Sequence, residues 1–259
     1  MVSFRRLVLV TLGASLAIAC RPAFEPKAFR GTNEQLYRAS LRELQRKRWD
    51  SAVAGFERLT LELPARDTLL PRAHYYLGVA HSGAKEHLLA AQSFGRMAEG
   101  FPNDTLADDA MYEAARSYQR LWRRPDLDAQ YGQAALQTYQ TLLSVYPETP
   151  RAPQVRREIA RLEQWFATKD YENGMHYFRR HAYDSAIIYF KDVLETYPST
   201  PKAREASLRL VDAYRAIKYR EDAEEMCESL RRTYPNDREV RERCGLGGSA
   251  TAAAPATVP

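Results

Sequence analysis

A single spacing recurs along this chain: a small residue, a large side chain four positions later, and a proline eight positions beyond that. The copies are Ala52-Phe56-Pro64, Ala90-Phe94-Pro102, Ala135-Tyr139-Pro147, Ala186-Phe190-Pro198 and Ala223-Cys227-Pro235. Three residues after each large one stands a further apolar side chain, at Leu59, Met97, Leu142, Val193 and Leu230. Positions i, i+4 and i+7 share one face of a 3.6-residue helix, so all three can be buried together. The alanine lets a neighbouring helix come close. The proline lacks a backbone donor and clashes with the preceding turn, so it ends the helix. Each copy therefore reads as the second helix of a hairpin.

The first helices carry marks of their own: Leu77-Gly78, Ala115 with Tyr118, Gly174 with Tyr177, and Tyr214. No run alternates with period two between hairpin turns, so strands are not expected. The pattern resembles the tetratricopeptide repeat, whose helix pairs bury their apolar faces by stacking. The expected fold is all-α, a tetratricopeptide-repeat α-solenoid of about five helix hairpins within residues 33–244. The repeats fall near 33–66, 70–103, 107–148, 153–199 and 202–236. Two insertions break the regularity. One, from Leu121 to Gln130, lengthens the loop inside the third hairpin. The other lengthens the first helix of the fourth, from Pro153 to about His181, with Ile159, Leu162, Trp165 and Phe166 as apolar contacts. The tail 245–259 is almost entirely Gly, Ala, Ser, Thr and Pro, with Leu246 its one large apolar side chain, and is expected to be disordered.

The amino-terminal end reads as an export signal over residues 1–19: Arg5 and Arg6, an apolar run from Leu7 to Ala19, and the small-residue site Ala17-Ile18-Ala19 before Cys20. The run is shorter than the roughly 20 residues a helix needs to span a bilayer. Ordinary cleavage at the A-x-A site is one reading. Lipidation of Cys20 is the one adopted, because a bare signal has no need of cysteine there. Residues 20–32, beginning Arg21-Pro22-Ala23-Phe24-Glu25-Pro26, then read as a flexible tether. Acyl chains contribute about 0.8 kcal/mol per buried CH₂, enough to hold a protein on a membrane. Arg21 resembles the sorting signal that sends bacterial lipoproteins to the outer membrane. Cys227 and Cys244 could pair in an oxidising compartment, but Cys227 occupies a helical core position, so a small buried thiol is expected.

Patterns that would carry chemistry are sparse. The histidines His74, His81, His87, His176 and His181 show neither the pairing nor the Cys/His spacing of a zinc site. There is no nucleophile elbow, P-loop or dinucleotide-binding glycine pattern, and Gly245-Leu246-Gly247-Gly248 sits in the tail. Asp108-Asp109 and Glu224-Glu225 are neighbours on a helix, so their side chains diverge by about 100°. The 38 Lys+Arg and 33 Asp+Glu nearly balance, and the leader itself carries two of the arginines. That excludes a nucleic-acid signature. Arg42, Arg46, Lys47 and Arg48, with Arg156, Arg157 and Arg161, read as solvated helix faces. No enzyme, no catalytic residue, no metal and no cofactor beyond a covalent lipid on Cys20 is expected.

What stands out is an aromatic row. In repeat register, Tyr37, Tyr75, Tyr112 and Tyr171 occupy one position of the first helices. In solenoids of the type this chain resembles, that position faces the concave groove, where a tyrosine's apolar body and polar tip suit peptide capture. The same rings could instead pack on the next repeat, and both readings stand at this point. Asp212 and Arg215 are placed at the far end of the groove as partner-binding residues.

The signal, the five repeats, the insertion in the third hairpin and the long fourth first-helix together resemble the BamD family, the repeat lipoproteins of the outer-membrane β-barrel assembly machinery. The resemblance runs from about Asn33 to Asn236. It is densest from Asp126 through Tyr139, Leu142 and Tyr146-Pro147, then Gly174, Tyr177-Phe178, and Ala186 through Phe190, Val193 and Tyr197-Pro198. It implies a non-enzymatic periplasmic scaffold lipid-anchored in the outer membrane. Its partners would be a BamA-like insertase, docked on the C-terminal repeats, other lipoproteins of that complex, unfolded outer-membrane proteins, and the membrane itself through the anchor. A second reading is a CpoB-like periplasmic repeat protein coordinating envelope constriction and peptidoglycan synthesis. Proteins of that kind usually carry an N-terminal coiled coil, which this sequence does not show.

Overall fold

The computed structural model describes residues 24–245. The leader, Cys20 and the tail beyond Gly245 lie outside the described residues. Helix formation starts at a capping box: Thr32 Oγ1 accepts from the Gln35 N–H at 3.3 Å, and Gln35 Oε1 accepts from the Thr32 N–H at 3.0 Å. Two orphan donors are thereby satisfied at the start of α1 (Asn33–Gln45). The chain continues through α2 (Trp49–Glu62), α3 (Leu70–Gly83), α4 (His87–Gly100), α5 (Ala107–Leu121), α6 (Gln130–Val145) and α7 (Ala152–Arg179). It ends with α8 (Tyr183–Thr196), α9 (Pro201–Ala216), α10 (Arg220–Thr233) and a short α11 (Arg238–Cys244). Among the described residues there is no strand.

The prolines act as the spacing predicts. Helices α2, α4, α6, α8 and α10 each stop two residues before one. The residue in between (Leu63, Phe101, Tyr146, Tyr197 and Tyr234) has left helical backbone, with ψ of 135°, 57°, 68°, 50° and 60°. Inside four of the helix pairs the connection is the same short turn through a residue in the left-handed region: Lys47, Lys85, His181 and Lys218, with φ of 58°, 66°, 62° and 65°. In the third pair the insertion replaces that turn.

The chain forms two compact units, divided after Ser117. In each, the repeated positions form the core. Ala52, Phe56 and Leu59 of α2 are fully buried, as are Ala135, Tyr139 and Leu142 of α6 and Ala186, Phe190 and Val193 of α8. Two glycines show how closely paired helices approach. A Cβ on Gly78 of α3 would lie 2.7 Å from the Phe94 ring, and one on Gly174 of α7 would lie 2.6 Å from the Phe190 ring. Only glycine admits the ring at these points.

Two expectations are corrected at the ends. The stretch read as a tether is docked from Phe24 onward. Pro26–Ala28 forms a 3-10 turn with Pro26 buried, and the Phe24 and Phe29 rings meet edge to face at 6.1 Å. Arg58 of α2 donates to the carbonyls of Pro26 and Phe29. Proline-rich composition suggested a loose segment, but its two phenylalanines have an apolar surface to cover and its carbonyls have a donor. The second correction concerns the cysteines. Cys227 is fully buried as expected, yet it is bonded to Cys244, because α11 turns back over the last pair and brings the two Cα atoms to 5.3 Å.

Candidate protein-docking site

The tyrosine row is a core feature. Tyr37, Tyr112 and Tyr171 are 8%, 2% and 7% exposed, which removes them as groove contacts. The reason is a constant separation along the chain: Tyr37 packs on Phe56 at 6.0 Å between ring centres, Tyr75 on Phe94 at 5.5 Å, and Tyr171 on Phe190 at 5.6 Å. Each first-helix ring closes on the repeated aromatic of its own partner helix. Burial raises the Tyr37 hydroxyl above its ordinary value, with the neighbouring Tyr76 adding to it. Tyr75, half-buried, also stands edge-on to Tyr76 at 5.5 Å. Lys202 covers the Tyr171 ring, its Nζ 4.4 Å from the centroid.

Asp212 and Arg215 are likewise engaged within the chain. Asp212 accepts from Arg209 at 3.3 Å and from Arg243 of α11, while Arg215 donates to the Arg243 carbonyl at 2.8 Å. Repeat register placed both residues correctly on α9, but it carried no information that α11 folds back onto them.

An accessible concavity lies elsewhere in the second unit. The insertion 122–129 is pinned by Trp122, which is 1% exposed and packs on Trp165 at 5.5 Å and Phe166 at 4.5 Å. Gly132 makes room for that indole, since a Cβ there would collide with it. Lys169 Nζ donates to the Leu127 carbonyl at 2.9 Å, tying the loop to α7. Between loop and helix opens a cleft of about 580 Å³, with Pro125 and Asp126 on one wall and Thr168, Glu172, Asn173, His176 and Arg179 on the other. Tyr177 and Tyr189 form its aromatic patch, stacked at 5.4 Å with planes 11° apart.

The cleft's electrostatics are balanced in sign. Tyr189 is raised above its ordinary value, first by the Tyr177 hydroxyl beside it. Outside the cleft's lining, the Asp170 carboxyl is raised by burial and then by Asp192. Tyr197, stacked on Phe166, is pushed up to about 12 by burial, then by Asp170 and Glu163. Carboxylates, cations, an amide and stacked phenols together suit a polypeptide surface better than a polyanion. Sequence reading missed Tyr189 and Asn173. The signal available was the insertion itself, whose apolar Trp122 had to bury somewhere. Among the described residues no group of three His, Cys, Asp or Glu could hold a metal ion. No helix among them is long and apolar enough to cross a membrane.

Helix pairs with a small residue, a large one and a closing proline at fixed offsets make this a tetratricopeptide-repeat protein. The chain belongs to the YfiO family of outer membrane lipoproteins, whose pattern it matches over residues 30–239. It is 27% identical over 205 residues to a Caulobacter vibrioides protein named outer membrane protein assembly factor BamD, covering 79% of this chain and 67% of that one. A Rickettsia prowazekii protein of the same name is 22% identical over 203 residues, covering 78% and 80%. Among solved structures, a repeat protein from Bacteroides fragilis is 14% identical with a TM-score of 0.49, covering 82% of this chain and 96% of that one.

Proposed function

We propose that this chain is a non-enzymatic scaffold lipoprotein of the outer-membrane protein assembly machinery. It is lipidated at Cys20, held on the periplasmic face of the outer membrane, and carries no other cofactor. It docks on a BamA-like insertase and on other lipoproteins of the complex, and it meets unfolded outer-membrane proteins. The observation that carries this reading is the family match across residues 30–239, supported by relatives named for outer-membrane protein assembly. The cleft between the insertion and α7 is the docking surface we assign to the insertase. It is built on rigid helix, it offers the Tyr177–Tyr189 stack as an aromatic anchor, and its rim is polar, the arrangement of a protein-binding patch.

Affinity purification of the full-length chain from solubilised envelopes tests it. The barrel insertase should co-purify, and Tyr189→Ala combined with Asn173→Ala should lower its recovery about tenfold, the loss of one anchor. Recovery of a cell-wall synthase without the insertase would favour the CpoB-like reading. Lipid labelling that persists in Cys20→Ala would remove the anchor from the proposal.

A further inference from the structure

The carboxy-terminal helix α11 has seven residues, far below the roughly 12–15 at which an isolated helix becomes even marginally stable in water. It is held in place by its surroundings. Val240 is its one buried residue, packed with Leu208, Val211, Cys227 and Leu230. The polar fastenings are partly exposed: Arg204 to Asp237 at 2.8 Å and to Glu239 at 3.0 Å, Arg243 to Asp212, Arg215 to the Arg243 carbonyl, and Arg231 to the Cys244 carbonyl at 2.8 Å. Arg204 grips Asp237 at the start of α11 through two parallel hydrogen bonds of 2.8 Å, whereas single ion pairs at such exposure, as towards its end, hold weakly. The peptide chain through 234–237 holds the start of α11 to α10, and the disulfide from Cys227 to Cys244 fastens its far end.

We infer that Cys227–Cys244 is a redox latch on a self-docked plug: oxidised, it keeps α11 closed over the end of the last helix pair; reduced, it lets α11 leave. Closure covers Leu208, Val211 and Leu230 and occupies Asp212 and Arg215. The latch is independent of which partner the cleft binds.

Opening is a two-electron exchange with a dithiol. Cys227 is fully buried and Cys244 half-buried, so the reductant's thiolate attacks the Cys244 sulfur and Cys227 leaves as thiolate. The reductant's second thiolate then displaces Cys244 and closes its own disulfide. Two electrons pass to the protein, and the two protons of the dithiol end on Cys227 and Cys244.

The experiment uses the purified full-length chain, with iodoacetamide as thiol probe, dithiothreitol as reductant and amide hydrogen exchange as readout. Without reductant neither Cys227 nor Cys244 should alkylate. With reductant both should, exchange across 238–244 should rise about tenfold or more, and exchange in α9 and α10 should change less than about twofold. Cys244→Ser should show the fast exchange without reductant. Alkylation of the untreated protein, slow exchange at 238–244 after reduction or in Cys244→Ser, or loss of protection throughout α9 and α10 would each overturn the latch. The last outcome would make the bond a staple of the whole helix pair.

Discussion

The ring of Tyr171 stands 5.6 Å from that of Phe190, and the same 19-residue spacing in sequence joins Tyr37 to Phe56 and Tyr75 to Phe94, at 6.0 and 5.5 Å. Of the two readings this position left open, groove or core, these three hairpins take the second and close on themselves. Phe190→Ala should therefore destabilise the second unit by about 3–5 kcal/mol, the usual cost of emptying a buried aromatic site. Tyr171→Phe keeps the ring and should cost no more than about 1.5 kcal/mol. Urea unfolding of both variants checks the pair. A Tyr171→Phe loss as large as that of Phe190→Ala would mean that the hydroxyl, not the ring, holds the site.

Two glycines in one helix pair should respond with opposite sign. A methyl on Gly78 would meet the Phe94 ring at 2.7 Å, so Gly78→Ala should cost about 1–3 kcal/mol through overpacking. Nothing lies within 4 Å of a Cβ on Gly95, so Gly95→Ala should add about 0.5–1 kcal/mol of helix stability. Thermal denaturation of the two single variants decides.

The left-handed turns offer a third test. Lys85 has φ of 66° and Lys218 has φ of 65°, a conformation that costs an L-residue roughly 1–2 kcal/mol. Gly pays back part of that gain in unfolded-chain entropy. Lys85→Gly should thus raise stability by up to about 1 kcal/mol, read as a higher urea midpoint with an unchanged slope. A lower midpoint would show that the lysine side chain contributes contacts that outweigh its backbone strain.

Acid should loosen α11. Asp237 is held down at about 2, first by the hydrogen bond from Arg204 and then by that from the Val240 N–H. Its folded value lies below its ordinary one, so its contribution is complete above the ordinary carboxylate range. That contribution is lost as pH falls through about 2. Hydrogen exchange across 238–244, corrected for intrinsic rates, should rise on acidification into that window. In Asp237→Asn exchange should be faster throughout and lack that rise.

Helix pairs were legible because their cause is local. Ala52, Phe56 and Leu59 share a face wherever the backbone is helical, and Pro64 stops that helix whatever surrounds it. The insertion was legible as an interruption of the period. Its role was not, since nothing near Trp122 in sequence says that it will bury against Trp165 and Phe166.

The chain's own order of residues thus determined the all-helical repeat, the break points and the set of side chains that must be buried. Tertiary structure alone decided whether the tyrosine row faced a groove or a core. It also decided that Arg58 would clamp the segment before α1, and that α11 would return to cover Asp212 and pair Cys244 with Cys227. The physical reason is range. Helix periodicity is set by hydrogen bonds four residues apart, whereas which surface an apolar ring or a short terminal helix covers depends on partners distant in sequence that compete for the same contact.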